Sequence, residues 1–178
     1  EECYTQTVRA FNLAERFMTP VFLLLDETIG HMHAKAVLPQ ISELEIYSRK
    51  QFGGDPADYR PYKAAPDEPA TLNKFFGGYR YHVTGLHHGE TGFPTEDGGV
   101  VDYNIKRLFN KINAHEHELE LWEEFMLDDA EICIIAFGSV ARSAKEAVLN
   151  LREKGIKVGL FKPITLFPTP SAKLREIS

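Results

Sequence analysis

Helix and strand signals alternate along this 178-residue sequence, and the fold class they predict is α/β. Two stretches carry that reading. Near the start, an apolar-periodic segment meets Thr19-Pro20 and runs into the aliphatic stretch Val21-Phe22-Leu23-Leu24-Leu25. Between residues 131 and 163, strand, glycine-serine turn, helix and strand succeed one another with the spacing of a βαβ unit. Neither stretch completes a parallel sheet. Both ends of the sequence are therefore expected to fall inside unfinished α/β domains, as in a chain cut from something larger.

Glu2 to Phe17 is expected to be a helix, because Tyr4, Val8, Phe11, Leu13, Ala14 and Phe17 share helical spacing, and Glu1 and Glu2 suit the positive end of the helix dipole. Thr19-Pro20 breaks it, and the run 21–25 has the length and purity of a strand buried on both faces. Asp26 and Glu27 then stand at the carboxyl end of that strand, where open α/β sheets place their ligand sites. A short helix over 29–36 is expected after this loop.

From about residue 40 to 100 the texture changes. Residues 51–100 hold nine of the 13 glycines and five of the ten prolines, but also eight of the 20 aromatic residues, which marks an ordered, packed insertion rather than a solvated linker. One short strand or hairpin is expected at 79–85. Ile105, Leu108, Ile112, His115, Leu119, Trp122 and Met126 recur at three- and four-residue steps and predict a long amphipathic helix over about 102–127. A buried strand at 131–137, Gly138-Ser139 as turn and N-cap, a helix over 140–154 closed by Gly155 and a strand at 157–161 make up the βαβ unit. A further helix is expected to start near Ser178. Strands 21–25, 131–137 and 157–161 are expected to lie in at least two separate parallel sheets.

Composition excludes several function classes. Twenty basic against 26 acidic side chains give a net charge of −6 with no basic cluster, which argues against a nucleic-acid partner. Mean hydropathy is −0.27, and no apolar run approaches the roughly 20 residues that span a bilayer. Cys3 and Cys133 can neither form a disulfide framework nor hold an iron–sulfur cluster, which takes about four thiolates. They read as small core residues in a reducing, cytoplasmic setting. None of the seven histidines has a convincing metal-ligand spacing, and no nucleophile elbow is present.

The residues of two regions carry a resemblance to a known family. Ala10-Phe11-Asn12-Leu13-Ala14-Glu15 leading into Thr19-Pro20-Val21-Phe22-Leu23-Leu24-Leu25-Asp26-Glu27 and Ile29-Gly30-His31-Met32 resembles the alpha subunit of 2-oxoacid:ferredoxin oxidoreductases. Tyr81 to Leu86, Gly92-Phe93-Pro94-Thr95, Ala136 to Ser143 and Gly155 to Pro168 are similar to the same subunit, in particular its 2-oxoglutarate-type branch. The resemblance covers nearly the whole chain, in the family's order.

It implies an enzyme that decarboxylates a 2-oxoacid with thiamine diphosphate and magnesium, transfers the acyl group to coenzyme A and passes electrons through iron–sulfur clusters to ferredoxin. By the same resemblance, residues 1–38 would be the C-terminal part of a thiamine-diphosphate pyrimidine-type domain. Residues 39–128 would be the irregular aromatic-rich insertion with the long helix, and 129–178 the start of a transketolase C-terminal-like α/β domain. The implied partners are a beta subunit, with gamma and delta subunits as further candidates, and ferredoxin; the clusters would belong to partner subunits. The family's threonine-proline motif, substrate-binding arginine and aminopyrimidine-activating glutamate have no counterpart in these residues, so no catalytic residue is carried over.

Candidate site residues are therefore pocket-edge candidates for cofactor binding: Asp26, Glu27, Gly30 and His31. Paired carboxylates can do acid–base work or bind a cation, and they serve equally as solvated helix-capping acids. Gly30 permits a close approach and a histidine such as His31, as a residue type, can change charge near neutral pH, although a surface or interface histidine is the commoner case. The turn-rich stretch His87-His88-Gly89-Glu90-Thr91-Gly92 ranks third as a contact element. Gly138-Ser139 presents helix amides that could cradle a phosphate, against ordinary βα capping. The competing reading for the whole chain is a non-enzymatic α/β interaction module whose aromatic insertion is a partner interface.

Overall fold

The computed structural model describes residues 1–178. The chain divides into two compact units, Glu1–Leu23 with Lys35–Ala114, and Leu24–Ala34 with His115–Ser178.

In the first unit, α1 (Glu2–Phe17) has the predicted bounds and ends on Met18, which is left-handed at φ 47°, two residues ahead of Pro20. A bidentate ion pair fastens it: Arg49 donates Nε and Nη2 to the Glu15 carboxylate, each at 2.7 Å. Beyond it the irregular stretch packs around aromatic rings. Tyr59 is buried against Phe52, Tyr79 and Tyr81, with ring centroids 5.0 to 5.5 Å apart. Buried Asn73 replaces a ladder there, its amide pairing both backbone groups of Phe52 at 2.8 and 2.9 Å. No strand forms at 79–85; a single antiparallel bridge, His88 with Pro94, closes the following loop instead.

The expected long helix is shorter. α3 (Gly98–Asn113), capped by the Asp97 carboxylate on Val100 N–H at 2.9 Å, stops at Ala114. His115, at φ −118° and ψ 18°, leaves the helical conformation at the boundary between the two units. α3 also turns the predicted apolar stripe outward: Ile105 and Leu108 are exposed, whereas Arg107 and Lys111 are buried. The periodicity was real, but its face and its length were set by tertiary contacts. A short helix, α4 (Glu116–Leu119), follows.

In the second unit, α2 (Glu27–His31) occupies five residues rather than 29–36. The sheet has three strands in the order β1 (Trp122–Phe125), β3 (Val158–Pro163), β2 (Ile132–Ile135). β2 and β3 are parallel, from Ile132 opposite Val158 to Ile135 opposite Phe161, and joined through α5 (Val140–Arg152) as the βαβ pattern predicts. Gly155, at φ 80°, ends the crossover in a left-handed turn, with Ile156 N–H returning to Leu151 C=O at 3.1 Å. β1 pairs antiparallel with β3, Trp122 opposite Pro163, over residues expected to be helical. Val158, Leu160 and Phe161 of central β3 are buried, and Val148 and Ala141 of α5 pack on that core with Ala136. The last helix, α6 (Ser171–Glu176), is tied to β1 by Lys173, whose Nζ lies 3.0 Å from Glu124 Oε1.

Residues 21–25 are not a buried strand. No strand of the chain pairs with them, and Phe22 and Leu24 are 85% and 74% exposed. A run buried on both faces needs a ladder on each edge, and without one aliphatic purity does not make a strand. The expectation of two parallel sheets is corrected with it: the chain forms one mixed sheet.

Candidate functional site

The site residues read from the sequence share one short segment of the second unit. Asp26 is extended, at φ −68° and ψ 132°, as a helix N-cap requires, and its Oδ1 accepts from Thr28 N–H at 2.9 Å and Ile29 N–H at 3.4 Å. Its Oδ2 accepts from the Ser139 hydroxyl at 2.7 Å. Ser139's hydroxyl and then the Ile29 amide hold the Asp26 carboxyl below the usual carboxylate range. Both oxygens are thus committed within the protein. Glu27, Gly30 and His31 lie on α2 and are exposed, and a Cβ at Gly30 would meet nothing within 4 Å.

Ser139 stands at the N-cap of α5 but does not cap it. Its backbone is already helical, at φ −64° and ψ −32°, and its hydroxyl leaves the helix for Asp26. This pairing across 113 positions has no sequence signal, because it joins two turn residues that each read as an ordinary cap.

The first unit holds two cavities. One, of about 410 Å³, is lined by Phe75, Phe76, Gly78, Tyr79, Arg80 and Tyr81. The other, of about 290 Å³, opens at the start of α3, where Lys63, Glu90, Asp97 and Asn104 face it. Beside that second cavity runs the turn-rich stretch: His88 stacks on Tyr62 with ring centroids 3.7 Å apart, and its C=O accepts from Asn104 Nδ2 at 2.8 Å. Neither cavity includes Asp26, Glu27, Gly30 or His31. Two turns further along α3, Lys111 Nζ reaches the Met18 C=O at 3.4 Å, and burial, assisted by Arg107, lowers its pKa to about 8.

Comparison with known proteins identifies the surroundings of these residues. A family described as pyruvate flavodoxin/ferredoxin oxidoreductase, thiamine-diphosphate-binding, matches residues 1–106, and one described as pyruvate:ferredoxin oxidoreductase core domain II matches residues 130–178. This chain belongs to the pyruvate flavodoxin/ferredoxin oxidoreductase family. The relatives it matches are named as 2-oxoglutarate synthase and 2-oxoacid:ferredoxin oxidoreductase subunits. It is 39% identical to the 2-oxoglutarate synthase subunit KorA of Methanocaldococcus jannaschii over 99% of this chain and 47% of that protein. The KorA subunit of Methanothermobacter marburgensis is 37% identical, again over 99% of this chain and 47% of that one. The chain spans about half the length of these curated relatives. A solved 2-oxoglutarate:ferredoxin oxidoreductase from Magnetococcus marinus, with 2-oxoglutarate, coenzyme A and succinyl-CoA bound, superposes with a TM-score of 0.85 at 27% identity, covering 99% of this chain and 31% of that one.

The thiamine-binding match includes Asp26 and α2, whereas Ser139 lies in the core domain II match. In this chain the Asp26 carboxylate is committed internally, and Glu27, Gly30 and His31 are open to solvent. No chemical step is assigned to them.

Proposed function

We propose that this chain is part of the alpha subunit of a 2-oxoglutarate:ferredoxin oxidoreductase, which converts a 2-oxoacid and coenzyme A to acyl-CoA and carbon dioxide while reducing ferredoxin. The observation that carries this reading is the alignment to a 2-oxoglutarate synthase subunit over 99% of the chain at 39% identity. Thiamine diphosphate with magnesium and iron–sulfur clusters complete the chemistry, the clusters in partner subunits. A beta subunit, with gamma and delta subunits where the complex has them, would accompany it in the cytoplasm.

The domain scheme goes with this reading. Residues 1–38 close the pyrimidine-type domain, 39–128 are the insertion and 129–178 begin the transketolase C-terminal-like domain. The core domain II match from residue 130 supports the last boundary, while the thiamine-binding match runs on to 106 and takes in most of the aromatic stretch. Glu27, Gly30 and His31 stand as edge contacts of the cofactor or of an adjoining subunit. No residue described above favours the non-enzymatic interaction module.

The test is an assay of the full-length subunit coexpressed with its beta subunit. Ferredoxin reduction is expected to require coenzyme A and to be faster with 2-oxoglutarate than with pyruvate or a branched-chain 2-oxoacid. A complex that reduces ferredoxin equally well without any 2-oxoacid would overturn the assignment.

A further inference from the structure

α2 carries Gly30 and His31 on a segment with few holds of its own. Apart from half-buried Ile29, every residue from Val21 to Leu38 is exposed. Its polar anchorage is Asp26. One oxygen of that carboxylate starts α2 through the Thr28 and Ile29 amides, and the other takes the Ser139 hydroxyl at 2.7 Å. Asp26 thereby serves two helix beginnings at once, and the residue that normally caps the second of them has given up capping to make the bond.

We infer that Ser139 is a positioning residue: by its hydrogen bond to Asp26 it fixes the segment bearing Gly30 and His31 to the first turn of α5, coupling the core domain II match to the thiamine-binding match. Three observations converge on this. A serine at an N-cap position with helical backbone and no bond to its own helix amides is free to bond elsewhere. Hydrogen bonds to an ionised carboxylate are stronger than neutral ones, and that same hydroxyl is the main influence lowering the pKa of the acceptor here. Between Leu24 and Ala34 no other side-chain hydrogen bond reaches the remainder of the unit, so this bond carries the orientation of α2.

The role in turnover rests on the oxidoreductase reading above; the anchorage does not. The experiment uses the full-length subunit in its complex, with Ser139→Ala, Ser139→Thr, and Ser143→Ala on the exposed side of α5 as a control. Hydrogen exchange is read by mass spectrometry over the amides of residues 27–32, and kcat and KM for the 2-oxoacid are measured alongside. Ser139→Ala is expected to speed exchange about fivefold and lower kcat about threefold, with KM for the 2-oxoacid within twofold of wild type. Ser139→Thr keeps the hydroxyl and restores both, and Ser143→Ala changes neither. Unchanged exchange in Ser139→Ala, or acceleration that Ser139→Thr fails to reverse, overturns the anchorage. Faster exchange with unchanged turnover overturns the positioning role. If the wild-type complex oxidises no 2-oxoacid, the functional reading falls, and the exchange pattern still decides whether Ser139 holds the segment.

Discussion

His31 ends α2 with its ring exposed, so its removal takes little packing from the protein. If it contacts the cofactor cavity or an adjoining subunit, His31→Ala in the intact enzyme lowers turnover on the order of tenfold, about 1.4 kcal/mol of barrier, with Tm nearly unchanged. His117→Ala on α4, whose side chain is also exposed, is expected to alter neither; steady-state kinetics and thermal melts of both variants check this. Lys111 behaves in the opposite way, being buried. Desolvation, then Arg107, lowers its pKa from 10.5 in the unfolded chain to about 8 in the fold. Between those pH values the unfolded chain binds more protons, so this group makes stability rise with pH from about 8 to about 10.5. Below that window its burial as an ammonium is a cost. Lys111→Met is therefore expected to flatten the alkaline rise in a denaturant titration series and to leave stability at pH 7 equal or higher. A steeper rise in the variant would contradict the assignment.

Elements with local signals were legible, and elements made by distant partners were not. α1 matches its prediction because helical spacing, early acids and a proline stop all agree. α5 and its flanking strands match in position because Gly138 and Gly155 punctuate a helix of ordinary length, but β2, expected to be buried, is an edge strand with Ile132 and Ile135 exposed because nothing in this chain pairs its outer side. β1 was missed because Trp122 and Met126 extended a helical period with no glycine or proline to break it. What makes it a strand is pairing with β3 some forty positions away, where Glu123 and Glu124 occupy the exposed positions of an edge strand. The candidate segment was legible in position, from the acids after an aliphatic run, but its anchor at Ser139 was not. The β1–β2 connection depends on Arg152. It donates Nε to Val158 C=O and Nη2 to Met126 C=O, each at 2.7 Å, and Nη1 to the Asp129 carboxylate at 2.9 Å. Arg152→Ala is expected to cost about 2–3 kcal/mol, and Arg152→Lys to recover less than half, because an ammonium cannot reproduce the planar fork. Equilibrium unfolding of the two variants measures the difference. In the first unit, Gly92 sits at φ 91° with its absent Cβ directed into the His82 carbonyl. Gly92→Ala must both strain the backbone and displace that carbonyl, so faster proteolysis of the 82–95 loop and a loss of about 2 kcal/mol or more are expected.

At the scale of the molecule, the chain leaves surfaces that its own elements do not cover. The 21–25 run has no ladder, β2 is an edge strand with Ile132 and Ile135 exposed, and α3 faces Ile105, Leu108 and Phe109 outward. Exposed apolar side chains clustered on one element, as on each of these, mark surfaces that other polypeptide covers. The cysteines point the same way in chemistry: Cys3 and Cys133 are free, and two thiols fall below the roughly four that an iron–sulfur cluster takes. On the proposed function, a cluster-bearing companion is expected to carry electrons away from the cofactor. Affinity purification of the full-length protein, coexpressed with its beta subunit, is accordingly expected to yield both chains with visible iron–sulfur absorbance that bleaches on adding 2-oxoglutarate and coenzyme A. If the clusters reside in that companion, a tagged alpha subunit expressed by itself is expected to be colourless and inactive. A colourless assembly that nevertheless reduces ferredoxin, or an alpha subunit that does so alone, would show that the electrons take another route.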